Sequence, residues 1–552
     1  MNNKFSIKAF VLALAAIVGL TANAANVDQT AARSIASSFL KIRAAQPGSI
    51  KAPALADLKL IHAEKSTVGN TANAYYAFNI KGGGFIIIAG DDRASQVLGF
   101  SDQGSLDFNN MPDGLEWLLS DYKRQIEFLQ ANPMLNVTPR RARFTDGNPT
   151  IIVEPLVTAH WGQHRPYYLQ CPMLDGAYSK VGCAGIQMAQ VLYYWQYPKT
   201  CGPLDGYYSS SLSDSVPPLP ATTFDYDKML DRYCHWDPEL GEPVQEVYTD
   251  EQAQAVAKLC RYAGQAARMN YSPTGSSTDG YRKLVGMKTL GFNRNAKSIS
   301  FKSPYTTETW EELMRAELDG GRPIMYGAKG VGISVGHAFI MDGYDSDNYF
   351  HINFGWYGVS DGWFLTTAII TTNLDGKYRN YGDDHYMFIN LFPTEYCKVV
   401  AQGVEAGNGL LVLGDDIHPC ATGVNLFTNY TDVDLLFSLT DQEGNLVATG
   451  DTINVVASEF VQRSDINGAL MLPTTLTNGT YNLQFNCFAD DALTTVCTAQ
   501  GKLTVVGHLA KFNAAFSIGD VTATIDYLLD GTYPWLSIAD VTTLIDYMLM
   551  SN

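Results

Sequence analysis

The sequence predicts a multidomain α+β protein, and three patterns carry that prediction. Between about 151 and 392, helical periodicity at 186–195 and 250–267 precedes glycine-punctuated strand patterns, the segregated order of an α+β domain. From about 399 to 506 the pattern turns to short alternating strands separated by turn signals, as in a β-sandwich. The tail then repeats at an offset of 20 residues: Ser517-Ile518-Gly519-Asp520-Val521-Thr522 returns as Ser537-Ile538-Ala539-Asp540-Val541-Thr542. At 552 residues the chain is too long for one domain.

The chain begins with the parts of a secretory signal. Lys4 and Lys8 are followed by an apolar run over 9–20 and the small-x-small site Ala22-Asn23-Ala24. Cleavage after Ala24 and export are expected, extracellular or at the cell surface. No later run is long enough for a transmembrane anchor. The formal net charge of -18 argues against a nucleic-acid partner, because phosphate contacts need a basic surface.

Residues 25–143 read as an α+β segment with a linker. Helical periodicity over 30–45 and 115–129 flanks a strand pair at 75–80 and 84–89, turned at Gly82-Gly83-Gly84. The stretch 132–149 holds prolines and the cluster Arg140-Arg141-Ala142-Arg143, so it is either a nicking site behind a pro-segment or an ordinary hinge.

Residues 144–395 carry the chemistry. Lys180-Val181-Gly182-Cys183 leads into an apolar run with no proline before Pro198. That setting puts Cys183 at a helix N-terminus, where unpaired N–H groups and the helix dipole favour a thiolate. Alone, the residue reads more readily as a buried structural thiol, and the rest of the chain has to overturn that reading. Strand patterns follow at 323–326, 337–344, 349–353 and 363–367. The second opens with Gly336-His337-Ala338-Phe339, a rigid mount for a base. Asn353, on the strand expected beside it, is placed to accept the imidazole N–H, and Trp356 to shield that bond. Upstream, the side chain of Gln163 is a candidate oxyanion donor beside the Cys183 N–H. Cys183 and His337 stand 154 positions apart, in the order and near the spacing of papain-like enzymes.

These strings together resemble the streptopain family of secreted bacterial papain-like cysteine peptidases. The family pattern has W-G-Q-x-x-P-Y, G-C-x-x-x-x-M-A-Q, G-H-A-F-x-x-D-G-Y and H-x-N-W-G-W-G-G-x-x-D-G-Y/F. Gly84-Phe85-Ile86-Ile87-Ile88-Ala89-Gly90-Asp91-Asp92 is similar to that family's inhibitory pro-domain. The resemblance implies a papain-like two-subdomain catalytic domain behind a pro-domain that inhibits it within the same chain. It makes Cys183 the nucleophile, His337 the acid/base, Asn353 the orienting residue, Gln163 the oxyanion donor and Trp356 a wall. It also implies protein and peptide substrates with a hydrophobic residue second before the scissile bond, and a maturation cut within 140–154. This chain departs from the pattern at Phe354 (Trp in the family), Tyr357 (Gly) and Ala184-Gly185-Ile186 (Val-Ala-Thr).

Residues 396–506 form the expected Ig-like sandwich, with strands at 410–413, 433–439, 446–448, 481–485 and 502–505. Cys487 and Cys497, flanking a polar turn, are expected to be able to bridge neighbouring strands. With nine cysteines at least one stays unpaired, and Cys183 is the candidate. Residues 507–552 resemble the helical half of dockerin repeats without their calcium loop, since no run of oxygen ligands precedes Ser517 or Ser537. No metal or cofactor is expected. On this reading the C-terminal domains are candidates to bind a protein partner. The alternative function is a surface adhesion or docking protein that binds through the sandwich and tail while its papain-like domain is inert.

Overall fold

The structure is a computed structural model, and it describes residues 26–44, 57–68, 72–135, 150–237, 242–301, 305–329, 336–368, 384–394, 397–407, 409–428, 432–456, 464–489 and 492–551. The expected signal segment, the arginine cluster and most of the linker lie outside these residues. The chain falls into two compact units that divide between Pro393 and Thr394.

One 11-stranded sheet organises the first unit. Its N-terminal strands are β1 (Leu58–Lys65), β2 (Asn73–Ile80), β3 (Phe85–Ala89) and β4 (Val97–Ser101), where the sequence had suggested two. The others are β5 (Ile151–Val153), β6 (Lys297–Ser300), β7 (Ile324–Lys329), β8 (His337–Asp345), β9 (Phe350–Asn353), β10 (Gly362–Phe364) and β11 (Asp384–Ile389). The order runs β1-β2-β3-β4-β10-β9-β8-β7-β11-β6, with β5 on β8. N-terminal and central strands meet where Trp363 pairs with Phe100 and Phe364 with Gly99. They form one sheet, not two.

Successive strand residues point to opposite faces, and the sheet uses both. On one face Tyr76, Phe78, Ile86 and Ile88 bury against Phe39 and Leu40 of helix α1 (Gln29–Ala44). On the other, Tyr75, Ala77, Phe85 and Ile87 bury against Leu115, Trp117, Tyr122 and Ile126 of helix α2 (Asp113–Ala131). That second core continues into Phe339 and Met341 of β8 and Phe350 and Ile352 of β9. The alternate β8 residues, Ala338 and Ile340, face the core around helix α3 (Cys183–Trp195). Each large side chain so buried stabilises by about 1.5–3 kcal/mol, so α2 is seated firmly on the strand that begins with His337.

Helices α4 (Asp250–Ala266), α5 (Gly280–Thr289) and α6 (Thr307–Asp319) complete the unit. The sequence reading found the first and missed the other two. Both missed helices start at side-chain caps, Asp279 accepting from the Arg282 N–H and Thr306 from the Thr309 N–H. They also interleave with the strands, so the simple order of helices then strands does not hold.

In the second unit a 4-stranded and a 7-stranded sheet share one core. Val424 and Leu426 of Cys420–Thr428 pack with Leu435 and Phe437 of Asp432–Thr440 and with Leu483 and Phe485 of Gly479–Ala489. This is the expected sandwich. The expected bridge between Cys487 and Cys497 does not form: register sets Cys487 opposite Thr494 and Cys497 opposite Phe485, and Cys497 is a free thiol. Diagonal neighbours are too far apart for a disulfide.

The tail repeats are helices α7 (Ile518–Asp530) and α8 (Ile538–Ser551). Val521 and Val541 are buried at equivalent positions, while Ile518 and Ile538 are exposed. Asp520 caps α7 and pairs with Lys511 at 2.9 Å; Asp540 accepts from the Ser537 N–H at 2.9 Å and lies 3.0 Å from His508.

Candidate active site

Cys183 opens α3 as expected, behind Gly182. Gly182 has φ 82°, and a Cβ there would lie 2.5 Å from the Ser276 carbonyl oxygen, so only glycine fits. Cys183 is half-buried and its thiol is free. Burial pushes the thiol up; the Ala338 backbone N–H and the Lys283 ammonium draw it back without cancelling the effect. Burial therefore works against the thiolate expected from the helix terminus alone.

His337 begins β8, next to Ala338, and lines with Cys183 a cleft of about 370 Å³. The loop 276–280, Lys283, Ala328 and Tyr386 complete its walls. The buried Nδ1 of the imidazole makes no hydrogen bond among the described residues, but a carboxylate stands beside it. This Nδ1 lies 3.3 Å from Oδ2 of Asp113, the first residue of α2. Strand alternation explains this partner: 337, 339 and 341 share a face, and α2 covers that face. The His337 ring beside Asp113 holds its carboxyl below the usual carboxylate range.

Asn353 ends β9, which pairs with β8, and sits opposite Ile340. Its amide donates to the Ala159 carbonyl at 2.8 Å, and its Oδ1 accepts from the Gly355 N–H at 2.9 Å and from Gln190 at 3.2 Å. In this state it orients the site loops rather than the imidazole. The carbonyl of Gln163 accepts from the Val181 N–H at 3.4 Å, which ties it to the loop before Cys183. Trp356 lies between the two cores, and its indole N–H is buried with no hydrogen-bond partner among the described residues.

Two glutamines of α3 act as braces that the sequence reading passed over. Gln190 accepts from the Trp161 N–H at 3.1 Å while donating to Asn353. Gln187 donates to the Tyr326 carbonyl at 2.7 Å and to that of Phe339. The helix carrying Cys183 is thereby tied to the strand carrying His337.

Residues 161–364 match the family described as Peptidase C10, and residues 24–126 match the Spi protease inhibitor family. The chain is 30% identical over 396 residues to streptopain of Streptococcus pyogenes serotype M28, covering 66% of this chain and 93% of that protein. This chain belongs to the Peptidase C10 family. It is a cysteine peptidase with an inhibitor-type pro-domain. It is also 27% identical over 327 residues to the thiol protease/hemagglutinin PrtT of Porphyromonas gingivalis, covering 56% of this chain and 36% of PrtT. Among solved structures, a prointerpain A fragment of Prevotella intermedia is 28% identical, with a TM-score of 0.46, covering 60% of this chain and 98% of that one.

Two departures from the family pattern have a structural account. Phe354 is buried between Phe339 and Phe364, with ring centroids 5.8 and 5.7 Å away, and so keeps an aromatic face toward the α2 core. Tyr357 has φ 61°, a region that glycine enters freely and tyrosine does not. Its hydroxyl accepts from the His164 N–H at 3.2 Å and sits 2.7 Å from that ring, which holds the strained residue in place.

Proposed function

We propose that this peptidase is a secreted endopeptidase made as a latent precursor, with Cys183 as nucleophile and His337 as general acid/base. The observation that carries this reading is that both side chains line one cleft while Asp113 of the pro-domain stands 3.3 Å from the imidazole. When the pro-domain withdraws, His337 turns from Asp113 to the sulfur and takes its proton. The thiolate attacks the peptide carbonyl carbon and the C–N bond breaks. His337 gives its proton to the leaving amine, and a thioester remains. Water, deprotonated by the same imidazole, hydrolyses that thioester and restores the thiol.

Gln163 and the Cys183 N–H are the proposed oxyanion donors. Asn353 orients the imidazole once His337 has turned, and Trp356 walls the site. Residues 1–24 form the signal peptide, 25–143 the pro-domain and linker, and 144–395 the catalytic domain. Residues 396–506 and 507–552 form the sandwich and tail, where a protein partner would dock. Maturation cuts within 140–154.

The experiment is labelling with an epoxide inhibitor of papain-like enzymes. After removal of the pro-domain, Cys183 takes up the label and protein hydrolysis stops. An unlabelled Cys183 in an active preparation would sink the assignment.

A further inference from the structure

Behind the cleft lies a cation that the reaction above does not use. Lys283, on α5, is 1% exposed yet lines the cleft with Cys183 and His337. Its ammonium donates to Gln187 Oε1 at 2.7 Å and lies over the rings of Tyr386 and Phe388, 5.2 and 5.4 Å from their centroids. Gln187 is locked in that orientation, because its amide nitrogen donates to the Tyr326 and Phe339 carbonyls and leaves only its oxygen for the lysine. Among the described residues no carboxylate forms an ion pair with Lys283. The acid on its own helix, Asp279, is held by the Arg282 N–H at 2.8 Å and faces the Arg282 guanidinium at 3.4 Å.

A buried lysine without a carboxylate is unfavourable unless some other anion offsets its desolvation. Two groups of the cleft can supply negative charge to it, the sulfur of Cys183 first and Asp279 second, and only the sulfur takes part in the reaction. We propose that Lys283 is a positioning residue for the peptidase reaction, a cation in the cleft wall that eases deprotonation of Cys183 against the cost of its burial. This rests on the reading of Cys183 as the nucleophile.

The other titratable groups around the sulfur are His337 on β8, Asp113 on α2, Asp279 and Tyr386 on the cleft wall, Lys329 on β7 and Lys180 on the preceding loop. Asp113 opposes the thiolate and Lys283 favours it. The opposing charge belongs to the pro-domain and leaves with it, whereas Lys283 stays. Burial lowers the lysine to about 8, and the charges of Cys183 and then Asp279 raise it without cancelling that effect.

The test measures alkylation of Cys183 by iodoacetamide against pH, read by peptide mapping, in full-length precursor carrying His337→Ala. That background cannot turn over, and it removes the imidazole from the titration. Lys283→Gln keeps a donor for Gln187 but no charge; Lys283→Arg keeps the charge. The expected result with Lys283→Gln is a midpoint about one pH unit higher and alkylation at pH 7 slower by about tenfold. With Lys283→Arg both stay near the parent. Lys283→Met serves as a second neutral variant and behaves as Gln does. An unmoved midpoint in the neutral variants overturns the proposal, as does an equal shift in Lys283→Arg, which would assign the effect to packing. Failure of the nucleophile reading appears separately, as protein hydrolysis that survives Cys183→Ala.

Discussion

Asp113 Oδ2 stands 3.3 Å from His337 Nδ1, so the first residue of a pro-domain helix meets the first residue of the strand that carries the proposed base. The Asp113 side chain is 55% exposed, and an ion pair that open is worth only about 0–1 kcal/mol. The pair sets where the imidazole points. The apolar face of α2, buried against Phe339 and Phe354, supplies the hold.

Asp113→Asn is therefore expected to speed maturation of the precursor modestly, by up to about fivefold, the equivalent of about 1 kcal/mol. The pH dependence has a definite sign. The carboxyl titrates below its ordinary value, so the contribution of the pair is present above the usual carboxylate range and is lost as pH falls through the lowered value. Precursor half-life against pH, in wild type and in the variant, checks this. The two curves converge in acid and separate above it.

A second contact holds the far end of the same strand. Arg43 of α1 reaches Asp345 at 2.5 Å and Asp347 at 3.2 Å, and its guanidinium lies over the rings of Phe39, Phe100 and Tyr349. Burial and the neighbouring Asp345 charge already bring Asp347 up to about 6. Removing the cation strands two buried carboxylates, and breaking a buried pair costs about 3–5 kcal/mol. Arg43→Met is expected to lower the melting temperature of the precursor and leave that of the matured enzyme unchanged.

Gly114 tests the apolar hold directly. A Cβ there would lie 2.9 Å from the Phe339 ring and 3.0 Å from that of Phe354. Overpacking of this kind costs about 1–3 kcal/mol, and valine brings little helix propensity to offset it. Gly114→Val is expected to give a precursor that leaks activity before any cut, measured as casein hydrolysis by uncut protein.

The site was legible where its determinants are local. Cys183 at a helix start, His337 at a strand start and Asn353 on the neighbouring strand follow from periodicity and glycine placement within about ten residues of each. Contacts across the chain were not legible. Arg43 and Asp345 are 302 positions apart, and nothing near either names the other. Lys283 escaped because its helix, begun by Asp279-Gly280, lies in a stretch whose serines, threonines and glycines read as loop. The thiol of Cys183 differs from expectation because a helix terminus can be read from sequence, whereas burial of the sulfur depends on the assembled core.

Purified full-length protein carrying Cys183→Ala, incubated beside wild type, tests the central claim most directly. Wild type shortens within 140–154 and then hydrolyses casein, while the variant stays full length and inert. A variant that matures itself and cleaves casein as wild type does would contradict the assignment of Cys183.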